Sequence, residues 1–152
     1  VLILSPPGMG KTTMLRNISC IISDKFNKNV VMIDEKMELS SYFTNKEYGS
    51  HTDVLSNVKK SDGIYFAIKN MRPDLIITDE ISDFDDYLAI YDAVFCGVKV
   101  ICSIHCETFA DFVKKRIGNT YLKNGVFDYY VEIGEKVGNV KNIYSHKGEK
   151  ID

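Results

Sequence analysis

Apolar residues along the chain fall into two alternating kinds of segment. Val1–Leu4, Val30–Ile33, Leu75–Ile77 and Val98–Ile104 are short, mostly apolar runs, and such runs predict strands buried on both faces. Between them the apolar spacing changes to three and four. Met14, Leu15, Ile18, Ile21, Ile22 and Phe26 recur this way from Thr12 onward, which predicts an amphipathic helix. Ser61-Asp62 predicts the cap of a second helix carrying Ile64, Ile68 and Met71, with Pro73 preventing its continuation. A third helix is expected to bury Phe84, Tyr87, Leu88, Tyr91 and Phe95 on one face and to stop at Gly97, and a fourth runs over Glu107–Arg116. Residues 36–60 are polar and aperiodic and predict a long loop with at most short structure. Phe127–Ile133 and Val140–Tyr144, joined around Gly134–Asn139, predict an antiparallel hairpin. Strands alternating with helices in this way make an α/β fold, a mostly parallel sheet flanked by helices with the hairpin at its C-terminal end.

The join between the first strand and the first helix reads Ser5-Pro-Pro-Gly-Met-Gly-Lys-Thr12. It follows the phosphate-cradle pattern G-x-x-x-x-G-K-[ST], with Ser5 in place of the first glycine. Gly8 and Gly10 permit torsions and a close backbone approach that a side chain would block. Successive N–H groups at a helix N-terminus then face an anion. Pro7, Gly8, Met9, Gly10, Lys11, Thr12 and Thr13 are the expected nucleotide-binding residues. Lys11 is to reach the β- and γ-phosphates of ATP, and the Thr12 hydroxyl is to ligate Mg²⁺.

Asp79-Glu80 ends the third apolar run, where a parallel strand aims its last side chains into the ligand crevice. Asp79 is expected to hold Mg²⁺ through water. Glu80, one residue on, is positioned to take a proton from an attacking water. Small-molecule kinases need no such base and gather arginines around two nucleotides, whereas Arg16, Arg72 and Arg116 are the only arginines here. Hydrolysis of ATP is therefore the expected reaction. His105, at the end of the fourth strand, is a candidate sensor of the γ-phosphate. Asp34-Glu35, with Glu38 nearby, either helps position water or Mg²⁺ or forms a solvated strand end. Arg116 closes the fourth helix, where the dipole favours a cation, or else serves a neighbouring subunit's site.

Composition changes this picture little. The 152 residues are 45% hydrophobic and 26% charged, with net charge −2. That balance argues against avid nonspecific nucleic-acid binding. No apolar run reaches the roughly 18 residues of a membrane-spanning helix, and no signal peptide is evident. Cys20, Cys96, Cys102 and Cys106 lie in or beside apolar segments and read as buried thiols of a reducing compartment. The Cys102-x-x-His105-Cys106 cluster lacks the second Cys/His pair of a zinc finger. The chain opens on Val1 inside a strand, and residues 1–152 are expected to be one P-loop ATPase domain with an N-terminal region missing.

SPPGMGKTTMLRNI, VVMIDEKMEL, HTDVLSNVKKSDGIYFAIKNMRPDLIITDEI and GVKVICSIHC, in this order, resemble the stage III sporulation protein AA family over nearly the whole chain. The resemblance implies a RecA-like P-loop NTPase fold and a motor-type ATPase of endospore-forming bacteria, related to secretion and pilus ATPases. It also implies a homo-oligomer, a hexameric ring in such relatives. The ring would lie in the mother-cell cytoplasm, peripherally at the inner face of the membrane, serving channel proteins of the sporulation complex. Carried over, Walker A falls on Ser5–Thr13, Walker B on Leu75–Glu80, the acid box on Asp34-Glu35 and the histidine box on His105. Lys36-Met37 stands where the family commonly has Arg-Ser, and Lys69 where it has arginine. Two rival functions remain: a nucleic-acid-dependent RecA-like ATPase, and a non-hydrolysing scaffold that uses ATP only to order an assembly.

Overall fold

The apolar runs become the centre of a single sheet in a computed structural model, which describes residues 1–40, 48–134 and 136–151. The strands are β1 (Leu2–Ser5), β2 (Val30–Asp34), β3 (Thr52–Ser56), β4 (Leu75–Glu80), β5 (Lys99–His105), β6 (Tyr129–Ile133), β7 (Val140–Ser145) and β8 (Lys150–Ile151). They stand in the order β3-β2-β4-β5-β1-β6-β7-β8. The first six are mutually parallel, β7 pairs antiparallel with β6, and β8 pairs antiparallel with β7. In register, Leu2 lies opposite Cys102 on one side and Tyr130 on the other. β1 is thus flanked by strands that lie about a hundred residues or more further along the chain.

Alternation along β1 divides the core. Ile3 joins Leu15, Val30, Met32, Leu75 and Ile77 on the face covered by α1 (Lys11–Phe26). Leu2 and Leu4 face the other side, against α2 (Lys60–Asn70), α3 (Phe84–Phe95), α4 (Phe109–Lys114) and α5 (Arg116–Lys123). Burial of both faces is what continuous apolar strands require. The end of α1 is stitched to the approach of β3: Ser19 Oγ donates to the Tyr48 carbonyl at 2.6 Å, and Asp24 accepts from Ser50 N–H at 2.8 Å.

Five expectations change. The polar stretch 36–60 contributes β3, five residues pairing with β2 along its whole length; residues 41–47 of the expected loop lie outside the described residues. The second helix begins at Lys60 with Lys59 at its cap position, so Ser61-Asp62 lies inside the first turn and caps nothing. The third helix buries Asp86, Tyr87, Ala89, Ile90 and Ala93, because small residues let it approach the sheet. Phe84, Leu88, Tyr91 and Phe95 face solvent instead, Phe95 with 83% of its surface exposed. The fourth helix is two, broken at Lys115, whose extended backbone (φ −70°, ψ 140°) ends α4 and starts α5. Arg116 therefore opens a helix rather than closing one, and the dipole argument for it is reversed. The cysteines form no disulfide, and Cys96 is exposed rather than buried.

Candidate functional site

Because β1 and α1 are joined by only five residues, the loop must reverse tightly at the carboxyl end of the sheet. Gly10 makes the last step with φ 82° and caps α1 without any side-chain hydrogen bond. No acidic residue stands in the first turn of that 16-residue helix. Its leading N–H groups thus present uncompensated positive charge, the condition for binding an anion. Ser5, in the place of a glycine, is fully buried, and its hydroxyl donates to the Pro6 carbonyl at 2.9 Å. Lys11 curls over the loop, donating to the carbonyls of Ser5 at 3.2 Å and Pro6 at 2.9 Å. Burial pulls the Lys11 ammonium below its ordinary value, while Glu80 pulls the other way.

A cleft of about 460 Å³ opens over this loop, lined by Pro7, Gly8, Gly10, Lys11, Thr12 and Thr13 on one side and by Asp79, Glu80, Ser103 and His105 on the other. Sheet order explains the meeting: β5, which ends at His105, lies between β1 and β4. Met9 is the exception among the expected loop residues, packing its side chain into the α1-side core.

The acids owe their aim to an irregularity. Ile77 pairs with Ile101 but Glu80 with Ser103, so the register between β4 and β5 slips around Thr78-Asp79. Such a bulge redirects side chains at a strand end. Glu80 Oε1 comes within 3.2 Å of His105 Nδ1. Asp79 Oδ1 is buried and ion-paired to Lys60 Nζ at 3.0 Å. Burial pushes the Asp79 carboxyl up and Lys60 opposes it. A carboxylate at the end of β4, in a cleft that Thr12 also lines, suits a hard cation such as Mg²⁺.

Lys60 is the residue that sequence reasoning missed. Only 3% exposed, its ammonium lies 3.0 Å from Asp79, 3.7 Å from Asp86 and 3.9 Å from Glu35, and it donates to the Glu80 carbonyl. Burial alone would depress it, but Asp79, Asp86 and Glu35 outweigh that and hold it above its ordinary value. The signal was a lysine at a helix N-terminus, where the dipole disfavours a cation.

The acid box divides. Asp34 is neither a solvated strand end nor a cleft residue: fully buried, it accepts from Glu38 N–H at 2.9 Å and from the Ser40 N–H and hydroxyl at 2.7 and 2.6 Å. It organises the turn after β2. Glu35 turns to Lys60, while Lys36 and Glu38 line the cleft.

The family model for sporulation stage III, protein AA matches residues 1–151. Stage III sporulation protein AA of Bacillus subtilis (strain 168) is 31% identical over 157 residues, covering 97% of this chain and 51% of the relative. The chain thus spans about half the length of that relative. Among solved structures, the pilus retraction motor PilT with bound ADP superposes with a TM-score of 0.67 at 16% identity, over 99% of this chain and 46% of its own. The VirB11 ATPase of the Brucella suis type IV secretion system superposes at 0.61 with 19% identity, over 96% and 48%. At these identities the likeness shows the fold alone: a mostly parallel α/β fold shared with these two proteins. Among the described residues no helix is long and apolar enough to cross a membrane.

Proposed function

From the premise that the chain belongs to the sporulation stage III, protein AA family, we propose that it binds ATP with Mg²⁺ and hydrolyses the γ-phosphate, as the motor of a sporulation channel or secretion-like complex. The observation that carries this reading is the single cleft in which Lys11 and the uncapped start of α1 face the Glu80–His105 pair. Backbone N–H groups of residues 8–13 cradle the phosphates, and Lys11 leaves its loop carbonyls to bridge the β- and γ-oxygens. Thr12 and Asp79 would hold Mg²⁺, which would supply neutralisation of the charge developing on the phosphate oxygens. Glu80 takes the proton of the attacking water, oriented by His105, whose other nitrogen faces the γ-phosphate and reports it. Glu35 acts at one remove, through Lys60. A homo-oligomeric ring working peripherally on membrane channel proteins fits the family and the secretion-type fold.

Nucleotide binding and phosphate release by the purified protein test this. Lys11→Ala abolishes tight ATP binding by removing the point charge on the β- and γ-phosphates. Glu80→Gln keeps ATP and Mg²⁺ binding while slowing hydrolysis by roughly 10²–10⁴-fold. Equal loss of binding and turnover in Glu80→Gln would move that residue from proton transfer to the metal shell. ATP binding without turnover in the unaltered protein, with and without membrane partners, would leave the scaffold reading instead.

A further inference from the structure

The hydrolytic side chains all lie to one side of the phosphate loop. Glu35, Asp79, Glu80 and His105 come from the ends of β2, β4 and β5, on one flank of β1. On the other flank β6 runs parallel to β1, so it ends at the same edge of the sheet as the cradle. The turn that follows it, residues 136–139, comes back onto the loop. Gly138 N–H donates to the Met9 carbonyl at 3.0 Å. Val137 sits beside Gly10, its Cγ1 3.0 Å from where a Cβ on that glycine would be. The turn is tied within itself by Asn139 N–H to the Lys136 carbonyl and to β6 by Gly134 N–H to the Asn139 carbonyl, both 3.0 Å. Yet Val137 leaves 72% of its surface exposed, an apolar side chain held in the open against a phosphate-binding loop.

A nucleoside triphosphate is a linear ligand with two unlike ends. Hydrolysis needs its γ-phosphate at the acids and at His105. The α-phosphate and nucleoside must then leave the loop on the opposite flank, where the turn stands. We infer that the β6–β7 turn is the nucleoside-binding wall of the site, with Val137 packing on the base or ribose and the Gly138–Met9 hydrogen bond locking that wall to the phosphate loop. The inference rests on the ATP-binding reading and adds to it the residue that tells a nucleotide from a bare polyphosphate. Exposed apolar surface beside the loop gains nothing from phosphate and gains from covering a sugar or base. Locking the wall to Met9 also keeps it in place before the ligand arrives, which lowers the cost of binding.

The experiment titrates the protein, with Mg²⁺ present, with ATP, ADP and inorganic tripolyphosphate by calorimetry. Val137→Ser removes the apolar contact without adding charge, at an exposed position where folding is not at stake. It weakens ATP and ADP by roughly tenfold and leaves tripolyphosphate within about twofold, while Val137→Leu keeps the nucleotide affinity. Unchanged ATP affinity in Val137→Ser, or equal weakening of ATP and tripolyphosphate, would overturn the turn's role and leave ATP binding standing. Failure of the unaltered protein to bind either ligand would overturn both readings.

Discussion

At the scale of single residues, Lys60 shows how an ion pair's weight depends on its surroundings. It sits beside Lys59, and each lysine makes a short contact with a carboxylate: Lys59 with Asp85 at 2.6 Å and Lys60 with Asp79 at 3.0 Å. The first pair is half-exposed on both sides, so solvent screens it and side-chain freedom offsets it. The second pair is withdrawn from water, and its acids have already lost their hydration. Replacing Lys60 by methionine leaves Asp79 and Asp86 buried without their cation. Urea unfolding should then show a loss of about 3–5 kcal/mol, whereas Asp85→Asn should shift the midpoint little. A small effect of Lys60→Met would mean that the acids take up water or protons in its place. Lys60 also joins Glu35, Asp79 and the Glu80 carbonyl, so its loss reaches the ends of β2 and β4 together.

At the scale of elements, the corner between α4 and α5 depends on one missing carbon. A Cβ on Gly118 would stand 1.9 Å from the Phe112 carbonyl oxygen and 2.7 Å from its carbon. Backbone cannot yield as a side-chain tip can, so Gly118→Ala should destabilise the protein by about 1–3 kcal/mol or more, read as a lowered urea midpoint. A neutral Gly118→Ala would mean that the corner opens freely. This corner was not legible in the sequence, because Phe109, Phe112 and Val113 keep helical spacing up to the break. Tertiary contacts hold the corner: Lys115 Nζ donates to the His105 carbonyl at 2.8 Å, and Gly118 packs onto the preceding helix. The buried face of α3 departs from its apolar pattern for a related reason. Its aromatic residues outweigh its alanines in any apolar pattern, yet closeness to the sheet selects Ala89 and Ala93. β3 escaped because an edge strand with one partner needs no continuous apolar run. What could be read ahead were the strands buried on both faces and the residues at their ends. Lys11, Thr12, Asp79, Glu80 and His105 each follow directly from such a strand or from the loop after it. Lys60 does not, since its acidic partners lie on three other segments of the chain.

At the scale of the whole molecule, the sheet gathers all eight strands into one layer, with the cradle strand toward its middle. Its partners on either side come late: Leu4 pairs with Ile104 in β5 and with Glu132 in β6. A chain ending at Asn124 keeps every helix and the β3-β2-β4-β5 block but leaves β1 as a bare apolar edge, a template for self-association. We expect residues 1–124 made alone to sediment as aggregate and to bind no nucleotide; a soluble, ATP-binding product would show that β6–β8 are dispensable. The same placement of β1 bears on how the chain is made. Synthesis runs from the N-terminus, so the segment that becomes β1 and its loop leaves the ribosome before β5 and β6, the strands that pair with it. It then waits while the next hundred or so residues are added, roughly five to twenty seconds at typical elongation rates. Through that interval Val1–Leu4 is an unpaired greasy segment, in need of a chaperone or of temporary shelter against its own α1. The loop after β1 is thus made well before the strands that fix it and, by this order of pairing, is among the last of these elements to take shape.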